Sequence, residues 1–96
     1  MYKKLQKNSR EISDVMKILA NENRLSILCY IWKWNIRVWK ISEDLWISQS
    51  LVSQILNRMK LEWILKSERS WKEILYEIND EKIFKIIKSL KDIYSK

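Results

Sequence analysis

Glycine and histidine are absent from this chain, and cysteine occurs once. Each absence excludes something. Without histidine there is no imidazole acid/base catalysis and no zinc site built on mixed Cys and His ligands. The single thiol, Cys29, cannot close an intramolecular disulfide, which fits a reducing compartment. Sites built from carboxylates alone stay open. No apolar run approaches the roughly 18–20 residues needed to cross a bilayer. The opening segment Met1–Lys7 lacks the continuous apolar stretch of a signal peptide. The expected location is therefore the cytoplasm. Missing glycine is the hardest absence to explain, because average usage near 7% implies roughly seven in a chain this long. Six tryptophans are present instead, at 32, 34, 39, 46, 63 and 71.

What is there reads as one small globular domain spanning 1–96. Ninety-six residues bury a modest core, so pairing with a second copy is a natural source of further burial. The apolar share of 47% and charged share of 32% suit a folded rather than a disordered chain. A net charge of +7 from 19 Lys and Arg raises the expectation of a polyanionic partner. The 12 acidic residues lie among the basic ones, so this is no basic tail. Charge alone leaves nucleic acid, an anionic membrane surface and mere solubility open.

Hydrophobic spacing then sets the order of elements. Ile12, Val15, Met16 and Leu19 share one face of a helix over 9–19, and Asn8 with Glu11 three residues on suggests a capping box. Asn21 can cap a second helix with Leu25, Leu28 and Ile31 as its buried stripe, flanked by Ile27 and Cys29. Val38, Ile41 and Leu45 predict a short helix over 38–45. Ser48 is a good N-cap for a helix to about Leu61, with Leu51, Val52, Ile55, Leu56 and Met59 turned inward. The opposite face carries Gln49, Ser50, Ser53, Gln54, Asn57 and Arg58. It is rich in hydrogen-bonding groups and carries no acid. Segment 64–68 reads as a strand, 69–72 as a turn, and 73–78 as a second strand with period-2 apolar residues at 74, 76 and 78. Asn79 or Asp80 caps a last helix over about 80–94. Its apolar set (Ile83, Phe84, Ile86, Ile87, Leu90, Ile93, Tyr94) is too wide for one face, which predicts a second buried face against a partner subunit. The fold class is mainly α with a β-hairpin: a winged helix-turn-helix, α-α-α-α-β-β-α, with the helix-turn-helix at about 38–61 and the wing at about 64–78.

Several linked segments now resemble one family. Leu19-Ala20-Asn21-Glu22-Asn23-Arg24-Leu25-Ser26-Ile27-Leu28 resembles the "LANxxRLxIL" opening of ArsR-type (ArsR/SmtB) winged-helix repressors. Ile47–Leu56 resembles their recognition helix "SQSxVSxHL", Leu61–Leu65 resembles "xEGLV", and Arg69–Lys72 with Tyr76 resembles the wing "RxGR…Y". The similarity runs from about residue 11 to 94. It also bears on the tryptophans. Trp46, Trp63 and Trp71 fall where the family has its most regular glycines, Trp34 falls at another common one, and Trp32 and Trp39 occupy more variable places. A codon (UGA is the natural candidate) read as glycine by the source organism would account for both anomalies. Genuine core or base-stacking indoles are the other reading. The difference matters, because a positive φ costs an L-residue other than glycine roughly 1–2 kcal/mol, against a domain stability of about 5–15 kcal/mol.

The resemblance implies a sequence-specific DNA-binding transcriptional regulator, a homodimeric repressor on a palindromic operator, and not an enzyme. Gln49, Ser50, Ser53, Gln54 and Asn57 are expected to read base edges from the major groove. Ser48, Arg58, Lys60, Lys66, Arg69 and Lys72 are expected on phosphates, supplying affinity and salt dependence. The dimer interface is expected from Ile12, Val15, Met16, Ile83, Phe84, Ile87, Leu90 and Tyr94. Gln54 stands where the family often has histidine, so its sequence preference does not transfer. The family's metal-sensing cysteine pair lies in "ELCVCDL"; here Asn35–Ile41 carries none, and the last-helix site of other members needs histidines. No cofactor, metal or membrane partner is expected. A two-cysteine redox switch within one chain is excluded, an intersubunit Cys29 pair is not, and Cys29 reads as a small core residue. A winged helix used for protein–protein contact without specific DNA binding is the alternative.

Overall fold

The computed structural model of the chain describes residues 1–32 and 36–95; Trp34 and the stretch around it lie outside the described residues. The helices are α1 (Tyr2–Lys7), α2 (Ser9–Leu19), α3 (Glu22–Ile31), α4 (Val38–Leu45), α5 (Gln49–Leu61) and α6 (Glu81–Tyr94). Strands β1 (Ile36–Arg37), β2 (Leu65–Ser70) and β3 (Glu73–Ile78) form one antiparallel sheet in the order β1-β3-β2. The expected order of helices, hairpin and final helix is present, with α1 and β1 added. Neither is legible in sequence. The six-residue α1 buries no side chain, and β1 is a strand only because Ile36 and Arg37 pair with Tyr76 and Leu75 of β3.

Polar residues start the helices where free N–H groups need acceptors. The Asn21 side chain accepts from the Arg24 N–H at 3.0 Å, Ser48 from Leu51 at 3.2 Å and Asp80 from Ile83 at 3.0 Å. The capping box at Asn8 does not form. Asn8 joins α1 to α2 with near-helical backbone (φ −99°, ψ 9°), and its N–H bonds to the Lys4 carbonyl, so no free turn exists for its side chain to cap. Glu11 instead pairs with Lys82 of α6 at the surface.

The core gathers around α3. Ile27, Leu28 and Ile31 of α3 are fully buried with Ile41 of α4, Val52, Leu56 and Met59 of α5, and Ile87 of α6. Each such side chain contributes about 1.5–3 kcal/mol of burial. Leu25 is only partly buried, and Leu51 sits exposed at the edge of its helix's apolar face. The hairpin extends further than expected: β2 runs to Ser70, and Ser70 pairs with Glu73, leaving only Trp71-Lys72 as the loop. Of the alternating residues of β3, Tyr76 is buried against the core, while Ile74 is exposed because the wing has by then left the body. Lys66 lies opposite Glu77 across the hairpin and their charges meet at 3.1 Å.

Two of the expected interface residues are corrected here. Ile83 and Ile87 point into the subunit's own core, so they offer nothing to a partner. Phe84 is also engaged internally, its ring stacked on Trp32 at 5.5 Å between centroids.

Candidate nucleic-acid interface

Helices α4 and α5 are joined through Trp46, Ile47 and Ser48, too short a link for either helix to turn independently. Two bonds fix the corner. The Ser42 hydroxyl donates to the Ile47 carbonyl at 2.6 Å, and Ser48 caps α5. Val52, Leu56 and Met59 then anchor the inner face of α5, which leaves Gln49, Ser50, Ser53, Gln54, Asn57 and Arg58 exposed together on the outer one. The helix rotation that the apolar spacing predicts thus brings the five candidate base readers onto one solvent face. With amide, hydroxyl and guanidinium groups and no carboxylate, it can donate and accept hydrogen bonds toward a groove edge without repelling phosphates.

The hairpin adds a second surface beside α5. A cleft of about 280 Å³ between them is lined by Arg37, Val38, Trp39, Gln49, Ser53, Lys72, Glu73 and Ile74. Arg37 and Glu73 form an ion pair across it, and the Trp39 Nε1 donates to the same carboxylate at 3.4 Å. Sequence reasoning missed Arg37; a basic residue just before α4 was the available signal, but only the β1–β3 pairing brings it beside the wing.

The candidate phosphate contacts divide into two groups. Arg58 reaches Glu62 at 3.5 Å, and Glu62 also holds Arg24 at 3.1 Å. Lys66 is paired with Glu77. Among the described residues, Lys60, Arg69 and Lys72 have no acidic partner, so their charge is directed to solvent or to an incoming polyanion.

The chain and its fold are similar to those of known regulators. No family model matches the chain. It is 31% identical over 91 residues to the HTH-type transcriptional regulator YgaV of Escherichia coli, covering 94% of this chain and 92% of that one. It is 37% identical over 82 residues to the transcriptional repressor PagR of Bacillus anthracis, covering 84% of this chain and 82% of that one. The crystal structure of the transcriptional regulator HlyU from Vibrio vulnificus superposes with a TM-score of 0.89 at 28% identity, covering 97% of each chain.

The chain belongs to the ArsR/SmtB family of winged-helix transcriptional regulators.

It is accordingly a DNA-binding transcriptional regulator and not an enzyme. As an ArsR/SmtB member it departs from the metal-sensing pattern in the stretch around α4, where the described residues Ile36–Ile41 carry no cysteine. Among the described residues, no three His, Cys, Asp or Glu side chains gather as metal ligands. No described helix is long and apolar enough to cross a membrane. Cys29 is half-buried between α3 and the end of α6, lining a recess with Leu25, Leu90, Lys91 and Tyr94. Burial pushes its thiol pKa up, against the opposing pull of the Lys91 ammonium. Most of it therefore stays protonated at neutral pH and is a poor nucleophile.

Proposed function

We propose that two copies of this cytoplasmic chain pair through α2 and α6 and act as a repressor, each placing its α5 in one major groove of a palindromic operator. The observation that carries the reading is the outer face of α5: exposed, free of acid and flanked by unpaired basic groups on the wing. Gln49, Ser50, Ser53, Gln54 and Asn57 read base edges, with Gln able to contact adenine bidentately. Ser48, Lys60, Arg69 and Lys72 hold phosphates and fix the register, and Arg58 and Lys66 join them on exchanging their carboxylate partners for phosphate.

The dimer reading rests on surface left uncovered. Ile12 and Met16 of α2 and Ile93 and Tyr94 of α6 are exposed, along with Leu5 of α1. The subunit exposes 7609 Å², whereas a compact monomer of 11.8 kDa exposes about 5,900 Å². Val15 and Leu90, partly buried beside this surface, complete the interface. Two recognition helices related by the dimer axis then lie about 34 Å apart, one duplex turn.

A gel shift with the DNA upstream of the gene tests the reading. Salt-sensitive, sequence-selective retardation is expected, with competition by the same duplex and not by a scrambled one. Binding no tighter to that duplex than to the scrambled one would favour a protein-contact role for the winged helix instead.

A further inference from the structure

We propose that positions 46, 63 and 71, written here as tryptophan, are glycine in the protein the cell makes, because the codon at these sites is read as glycine by its own translation machinery. The backbone carries the argument. Among the described residues only three have positive φ, and they are Trp46 (58°), Trp63 (64°) and Trp71 (59°). All lie in the left-handed region, which Cβ sterics make costly for every L-residue and which glycine enters freely.

Each site requires that conformation for its own reason. Trp46 ends α4 with ψ 39° and turns the chain into α5. Trp63 occupies the C′ position of a complete Schellman motif: its N–H bonds to the Lys60 carbonyl at 3.0 Å, and the Ile64 N–H bonds to the Met59 carbonyl at 2.9 Å. Glycine is the usual residue at that position. Trp71 is the first residue of a two-residue hairpin loop, where the right-handed twist of the strands selects turns with positive φ. No packing offsets the strain, since the three side chains are 94%, 79% and 93% exposed. None of the three indoles therefore gains burial within the subunit that would offset a strained backbone.

A sequence with no glycine and six tryptophans completes the case. UGA differs by one base from a tryptophan codon and by one base from a glycine codon, so one altered assignment converts one residue type into the other throughout a gene. The assignment extends to every tryptophan this codon encodes. Trp32 differs in kind, with φ −42° and its ring stacked on Phe84, so its identity follows from its codon and not from its backbone.

The deciding measurement is mass spectrometry of the protein isolated from its native host. Tryptic peptides 41–58 and 61–66 and the Glu-C peptide 69–73 are expected to carry glycine at 46, 63 and 71, and the intact mass to correspond to glycine at three to six of the six positions. Tryptophan in any of the three peptides, or fewer than three replacements, overturns the proposal. A second measurement separates backbone freedom from loss of the indole. The triple variant W46G/W63G/W71G should melt roughly 10 °C or more above W46A/W63A/W71A. Equal midpoints would mean that no left-handed strain exists there, and would overturn it as well.

Discussion

Cys29 and Tyr30 are neighbours on α3, and their acidities are shifted by related causes. Tyr30 is pushed up to about 12 from its ordinary 10, first by burial and then by its hydroxyl donating to Asp44, with the negative charges of Asp44 and Glu43 adding to both. The sign of the consequence follows. Between pH 10 and about 12 the unfolded chain has lost the phenolic proton while the folded one keeps it, so stability present below pH 10 is lost as pH rises through that window. Tyr30→Phe should remove this component of alkaline unfolding; a variant whose melting temperature falls with pH as steeply as the parent's would contradict it. At the same scale, the left-handed residues at 46, 63 and 71 are legible in sequence only as misplaced tryptophans. A torsion angle is imposed by the hydrogen bonds of a whole turn, and no single residue type announces it.

At the scale of elements, the recognition helix is readable because its apolar residues repeat with the helical period, and Val52, Leu56 and Met59 turn the polar set outward as that period requires. The wing is readable as alternation, but its partners are not. Pairing of Lys66 with Glu77 and of Arg58 with Glu62 divides the nominal phosphate candidates into answered and unanswered charges. This yields a graded prediction for DNA binding. Neutralising Arg69 or Lys72 to Gln should flatten the dependence of log affinity on log salt by about 0.9 for each phosphate left without its cation. Lys66→Gln and Arg58→Gln should flatten it less, because these cations are already partly neutralised by Glu77 and Glu62. Filter-binding titrations over a salt series distinguish the two groups, and equal slopes for all four variants would refute the division. Arg37 belongs to this scale too: a two-residue strand exists only through its neighbour, so local pattern cannot place the residue it delivers to the cleft.

For the whole molecule, shape carries the message. The radius of gyration is 14.3 Å, against about 12.5 Å for a compact chain of this length, and the extents of 48 × 31 × 20 Å describe a flattened, elongated subunit. Such a body leaves the outer faces of α2 and α6 without cover. On the proposed dimer, the paired variant Ile12→Lys/Met16→Glu should therefore shift the protein from dimer to monomer by light scattering while leaving its helical circular dichroism unchanged, since both side chains are already partly in water. Retention of the dimer would remove α2 from the interface. The wide apolar set of α6 reads in sequence as a two-sided helix, and the division of labour within it comes only with the fold. Ile83 and Ile87 close the subunit's own core, whereas Ile93 and Tyr94 remain outside.

The sequence by itself determined the order of the four longer helices before the hairpin, the hairpin and the last helix, the rotation of α5 and the caps at Asn21 and Ser48, and it narrowed the last cap to Asn79 or Asp80, because each depends on spacing or on side chains within one turn of the backbone they serve. It also determined that glycine was missing where turns were expected. Tertiary structure alone decided that Asn8 joins two helices instead of capping one, that Arg37 meets Glu73, and that the backbone at 46, 63 and 71 is left-handed. These features depend on contacts between segments far apart in the chain, or on the hydrogen bonding of a completed turn, and local residue patterns hold neither.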